Sequence, residues 1–342
     1  MATLTVRPIG IRDLTSFRTL QRLPLCLGYG GVPVSQTSAG VLASLPLTRR
    51  YWRGYIASVD GEVCAAVELQ PEPRDFRWVV ATLAARALPG ADAPELLVPV
   101  WEQLLLAAIR AAGADGARRL HACPPIDGPA IEAFQGAHFI TYAYQTTLLA
   151  QRLRPAPPGG LRVREQEPSD AWAIHQLYHQ ATPPPIQYAE AFTSNHWDAG
   201  RRAAPRVRGF LLERDHQVVA YCRVTARGHR HVVEVLTLPG QAALLRELVP
   251  QALSRAGVGA DDEIWVGVPD YHGEYVAHLE AIGFTVVGRQ ARMVRHTVGM
   301  ARSRLALALH LGPDMGERLS VRLPSYTSVT PQADRVSSAS SL

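Results

Sequence analysis

The stretch "HLEAIGFTVVGRQARMV", His278 to Val294, has a fainter twin in "AFQGAHFITYAYQTTLL", Ala133 to Leu149, which sets Phe284 opposite Phe139. Each reads as a short helix, a turn and a strand. Working outward from this pair, "HVVEVL" from His231 answers "WVVATL" from Trp78, and "GFLLERDHQVVAYCRV" from Gly209 answers "GYIASVDGEVCAAVEL" from Gly54, with Asp215 opposite Asp60 in the turn of a hairpin. At the outer end, "VREQEPSDAWAIHQL" from Val163 answers "VRPIGIRDLTSFRTL" from Val6, pairing Arg164 with Arg7 and Asp170 with Asp13. The order of matches never breaks, and the offset shrinks only from 157 residues at Val6 to 145 at Phe139, as a few loop insertions would produce. A period this long marks a duplicated structural unit.

Each copy reads β–α–(helical segment)–β–β–β–α–β–α–β. The hairpin flanks alternate apolar and polar residues as strands do, and the long apolar helices that follow end near Gly113 and Gly257, residues suited to a helix C-cap. Between the copies lies "RPAPPGG", Arg154 to Gly160, whose Pro and Gly suit a linker. The expected organisation is therefore an N-terminal domain at 3–150, a linker at 154–160, a C-terminal domain at 160–297, and a disordered tail at 313–342, where Ser, Thr, Pro and Gln replace hydrophobic periodicity.

Composition narrows the function classes. The chain has 342 residues, 47% of them apolar, and formal net charge +5. All 35 basic residues are Arg. They are scattered, with no basic run and no interleaved aromatic stripe, so a nucleic-acid partner is not expected. Cys26, Cys64, Cys123 and Cys222 lie far apart and read as reduced core thiols, not a zinc or disulfide framework. No signal peptide opens the sequence, and apolar stretches such as "LALALHL", Leu305 to Leu311, fall short of a bilayer span, so no membrane partner and a cytoplasmic location are expected. His175 and His179 stand at i, i+4 on a helix, but no third ligand is in view.

The order of elements in both copies, together with "LEAIGF" at Leu279 to Phe284, where a helix ends on Gly-Phe and enters the last strands, resembles the GNAT superfamily of N-acetyltransferases. The resemblance implies two tandem acyl-CoA N-acyltransferase-like units, each an α/β (α+β) fold with a mixed, mostly antiparallel sheet flanked by helices. It further implies acetyl-CoA as co-substrate, held where a strand splays from its neighbour and the next helix begins. In the second copy these positions are Leu236, Leu238, Gly240, Gln241, Ala242 and Ala243. The family loop of Gln or Arg, two residues, Gly, one residue, then Gly or Ala is reduced here to "PGQAA" from Pro239. The first copy has the longer "AARALPGADAPELL" there, and a remodelled or filled cleft is expected.

Glu234 occupies the position of the family's general base, and Ala81 is its counterpart in the first copy. A second reading stands beside it: if Gly228-His229 is a two-residue turn, Arg223 pairs across from Glu234 as a structural ion pair. The family's acidic Tyr falls at Leu279, which leaves Tyr275 or Tyr271 to supply a proton. Tyr188 and Trp197, from "TPPPIQY" and "SNHWD", are candidates for the wall of the acceptor pocket. The expected activity is acyl transfer to a small-molecule or peptide amine in the C-terminal half, by a monomer that is itself a pseudo-dimer, or by a homodimer. The alternative is a catalytically silent ligand-binding or scaffolding protein.

Overall fold

The computed structural model describes residues 4–24 except 14, 17 and 18, residues 53–86 except 73–75, and residues 93–151, 153, 160–198 and 206–297. The expected tail at 313–342, most of the linker at 154–160 and Cys26 lie outside these. In the first half the elements are β1 (Leu4–Pro8), β2 (Gln21–Pro24), β3 (Arg53–Val59), β4 (Glu62–Glu72), β5 (Arg77–Ala85), α1 (Ala93–Ala114), β6 (Arg119–Ala122), α2 (Pro129–Gly136) and β7 (Ile140–Ala150). The second half has β8 (Val163–Glu165), α3 (Ala171–Ala181), α4 (Pro184–Glu190), β9 (Arg206–Arg214), β10 (Gln217–Arg227), β11 (Arg230–Thr237), α5 (Leu245–Ala256), β12 (Glu263–Pro269), α6 (Glu274–Glu280) and β13 (Thr285–His296).

The two halves match in local chemistry. Arg7 grips Asp13 with two hydrogen bonds of 2.7 Å, and Arg164 grips Asp170 with bonds of 2.7 and 2.8 Å. In both copies the aspartate also accepts a backbone N–H, from Gly10 and Glu167 respectively. The guanidinium holds each carboxyl below its ordinary range. Both first hairpins turn on an aspartate with positive φ, Asp60 and Asp215. Gly257 caps α5 at φ 76°. Gly113 does not cap α1: the helix runs on to Ala114, and the positive φ falls at Gly116.

The strands form one mixed sheet in the order β1-β3-β4-β5-β6-β13-β7-β12-β11-β10-β9-β8, with β2 added against β5. Among the described residues, only β5–β6 and β11–β12 pair in parallel. The order is the same from either end, and its centre is an exchange. The last strand of the second half, β13, pairs with β6 of the first, while the last strand of the first half, β7, pairs with β12 of the second. The stretches 3–150 and 160–297 are thus halves of one sheet, within a compact unit spanning Met1–Met300.

The two cores record this exchange. Ala291 and Met293 of β13 are buried with Leu104, Leu105, Ala108 and Phe134 from α1 and α2, and Leu148 and Ala150 of β7 with Leu245, Leu248, Val249 and Phe284. The stretch Leu97–Ala114 in α1 is long and apolar enough to cross a membrane by length and composition, which sequence reading passed over. Its face of Trp101, Leu104, Leu105, Ala108 and Ala112 packs on the first-half sheet, and the Trp101 indole donates to the Ala84 carbonyl at 3.2 Å. Buried residues make up 33% of the stretch.

Candidate active site

The parallel ladder between β11 and β12 runs from Arg230 opposite Glu263 to Val233 opposite Val266 and stops. From there β11 continues along β10 as far as Thr237, while β12 continues along β7 to Pro269. The two strands part because each follows a different neighbour. A pocket of about 540 Å³, including its open mouth, occupies the wedge. Glu234, Val235 and Leu236 line one side and Gly267 and Pro269 the other. The same break occurs in the first half, where the β5–β6 ladder ends at Val79 opposite His121. There β2 lies antiparallel on the vacated edge, Gln21 to Pro24 against Ala85 to Thr82, and fills the wedge.

Glu234 stands directly opposite Arg223, across the Gly228-His229 turn read from the sequence. The two form a salt bridge with 9% and 16% of their side chains exposed. Arg223 also donates to the His196 carbonyl at 3.1 Å and lies 5.5 Å over the Trp197 ring. The Glu234 charge is therefore balanced, and the pair braces one wall of the pocket.

The two tyrosines part company. Tyr271 lines the pocket, and its hydroxyl accepts from Arg292 at 3.2 Å. Tyr275 does not: its side chain is buried, and its hydroxyl accepts from the Thr237 N–H at 3.0 Å and the Thr237 hydroxyl at 2.9 Å. Burial pushes this phenol up to about 12. Tyr275 thus ties α6 to the end of β11, and its placement corrects the expectation of an available proton donor.

Beyond the strand end, Pro239 and Gly240 are exposed and Gly240 takes φ 77°. The Gln241 N–H is committed to the Leu238 carbonyl at 3.0 Å, so it is not available to an anion as expected. Ala242 is buried in the second core with Leu238 packed against it, and Ala243 is exposed. Of the expected cofactor positions, only Leu236 lines the pocket.

Trp197 lines the pocket and is buried, with its indole donating to His175 Nδ1 at 3.1 Å. His175 in turn lies 3.1 Å from His179, which engages Gln187, so the i, i+4 pair is engaged within the protein. Tyr188 is 73% exposed and does not line the pocket; its ring lies 6.3 Å from that of His296 at the end of β13. Lining residues that sequence reading missed include Tyr178, Thr182, His272, Gln145 and Arg292. His272 was within reach of it, since "PDYH" follows a strand end, where ligands collect in open sheets. Gln145 and Arg292 were not, because they arrive on the exchanged strands.

Burial pushes the His272 imidazole down to about 4, against an opposing pull from the Glu274 carboxylate and with a small further push from Arg292. The unfolded ring titrates near 6.5, so between these values the unfolded chain binds the extra proton. Stability is fully present above pH 6.5 and falls as the pH drops toward 4, by roughly 3 kcal/mol for this one group. Melting curves between pH 7 and 4.5 should therefore show a smaller loss for His272→Phe than for the wild type; parallel curves would refute the assignment.

A GCN5-related N-acetyltransferase from Sphaerobacter thermophilus matches the structure with a TM-score of 0.53 at 14% identity, over 86% of this chain and 96% of its own. A tandem GNAT protein from the clavulanic acid biosynthesis pathway matches with a TM-score of 0.49, also at 14% identity, over 86% and 99%. No family model matches the sequence, and no curated protein matches it. On the likeness to the Sphaerobacter protein, the chain has the fold of a GCN5-related N-acetyltransferase.

Proposed function

We propose that the second half binds an acyl-CoA thioester, acetyl-CoA in the simplest case, in the wedge between β11 and β12 and transfers the acyl group to a small-molecule or peptide amine. The observation that carries this reading is the contrast between the halves: the wedge is open in the second and occupied by β2 in the first. The parting strands leave the β11 edge from Glu234 free of β12, where an extended amide-bearing arm can lie as an added strand. At the strand end, Gly240 has no heavy atom within 4 Å of where a Cβ would stand, which leaves room for a phosphate near the start of the following helix. The walls are aromatic, with Tyr178, Trp197, Tyr221 and Tyr271, and suit an amine on an apolar or aromatic body.

In the full chain, acetyl-CoA at a hundred times its dissociation constant should raise stability by about 2.7 kcal/mol, visible as a shifted melting transition. Thiol release with a panel of primary amines tests the transfer itself. Silence in both assays at millimolar acetyl-CoA would leave the ligand-binding or scaffolding alternative. Glu234→Gln should retain turnover within about tenfold, since the carboxylate acts here by bracing Arg223; removal of a general base costs ~10²–10⁴. A drop of that size would make Glu234 the base.

A further inference from the structure

Among the described residues that line the pocket, a histidine and a threonine each bury a polar atom that has no hydrogen-bond partner. His272 Nε2 and Thr182 Oγ1 are buried without a hydrogen bond, in residues 6% and 4% exposed. Thr182 follows α3, His272 ends the turn between β12 and α6, and both line the same pocket. Its other polar side chains are engaged. Tyr178 donates to Glu190 at 2.7 Å, Tyr221 to Gln166 at 2.8 Å and Gln145 to Gln290 at 2.8 Å. Tyr271 accepts from Arg292, Trp197 donates to His175, and Glu234 holds Arg223. Burying a polar atom with nothing to bond costs stability, and such atoms in a native protein call for an explanation. A bound ligand supplies one.

The ring of His272 is held in place by stacking on Tyr275, with centroids 4.5 Å apart and planes 6° apart. Its Nδ1 lies 3.9 Å from a Glu274 carboxylate oxygen, too far for a hydrogen bond but near enough to favour the proton on that nitrogen. Nε2 then carries a bare lone pair. The charged groups acting on the ring are Glu274 and Arg292, and their opposed influences leave burial in control, so the ring is neutral at physiological pH.

Resting on the acyl-transfer reading, we infer that Thr182 Oγ1 and His272 Nε2 receive the acceptor's amino group, with His272 carrying a proton from that nitrogen to the departing sulfur. Thr182 accepts one N–H and aims the nitrogen lone pair. The nitrogen forms a bond to the thioester carbonyl carbon as the carbonyl π pair moves onto oxygen, to return when the sulfur leaves, and Nε2 takes a proton from the now cationic nitrogen. The carbon–sulfur bond breaks with its electron pair leaving on sulfur, and the imidazolium returns its proton to that sulfur. The ring ends neutral and nothing else is consumed. A buried imidazolium is a strong acid, which favours the second transfer.

The test uses the full chain with His272→Phe, His272→Gln and Thr182→Val. Without ligand, His272→Phe and Thr182→Val should melt at or above the wild-type temperature, since each removes an unpartnered buried atom. All three should keep the shift induced by acetyl-CoA. Both His272 variants should lose ~10²–10⁴ in kcat/KM, and the Gln variant does so although it retains a hydrogen-bonding tip. Thr182→Val should raise KM for the amine about tenfold. A His272 variant with wild-type turnover overturns the inference. A wild-type chain that acetyl-CoA stabilises but that releases no thiol with any amine removes the transfer reading instead. The contact is then judged separately by imidazole ¹⁵N resonances: the signal absent in His272→Phe must move when acetyl-CoA and an amine are added together, and a fixed signal overturns the contact as well.

Discussion

Expressed separately, residues 1–153 and 160–297 are expected to yield no cooperatively folded monomer. Without the first half, β12 and β13 each lose β7, the strand that bonds β12 from Ile264 to Pro269 and β13 from Thr285 to Val294. The second core loses Leu148 and Ala150 with it. The first half fares no better, because removing β13 opens the edges of β6 and β7 and takes Ala291 and Met293 from beneath α1 and α2. Buried strand edges stripped of partners are templates for pairing with another chain. The isolated halves should therefore appear as aggregates or strand-exchanged dimers in size-exclusion chromatography, while co-expression restores a 1:1 assembly with the melting temperature of the intact chain. A monomeric half that melts cooperatively near that temperature would refute the role given to the exchange. Each half thus supplies the strand that the other lacks.

What was legible in the sequence and what was not divides along the range of the interactions. The hairpin turns at Asp60 and Asp215, the Gly228-His229 turn and the pairing of Arg223 with Glu234 follow from alternation and turn chemistry, which act over a few residues. The repeated Arg–Asp grip of Arg7 and Arg164 falls on positions the internal match had already aligned. Alternation says which side chains of β7 and β13 face a core but not whose core, so the exchange, and with it Arg292 and Gln145 in the pocket, stayed hidden. The filling of the first wedge was expected from its long loop, yet the filler is β2, from another part of the chain. The tie between Tyr275 and Thr237 lies beyond such patterns, because the two residues stand 38 apart in sequence. Thr182 and His272 stand out only by what fails to surround them, which is a property of the folded state.

Glu190→Ala should cost about 3–5 kcal/mol, among the largest losses any single substitution here can produce. Glu190 ends α4 and is fully buried, and Arg292 lies on β13 with 1% of its side chain exposed. Their contact at 2.6 Å fastens a second-half helix to the exchanged strand at the pocket floor. The second carboxylate oxygen accepts the Tyr178 hydroxyl at 2.7 Å, and burial together with this carboxylate pushes the Tyr178 phenol far above its ordinary range. Truncating Glu190 strands a guanidinium in a low-dielectric site and frees Tyr178, so two groups are left wanting at once. The pair itself is a different matter, because desolvating both ions offsets much of their attraction. Glu190→Met combined with Arg292→Met should recover most of what Glu190→Ala loses. Urea titrations of the three proteins, compared at equal m-value, decide it. A Glu190→Ala midpoint within experimental error of the wild type would mean that the ion pair does not anchor the exchanged strand, and a double variant less stable than the single one would mean that the charges contribute more than their burial costs.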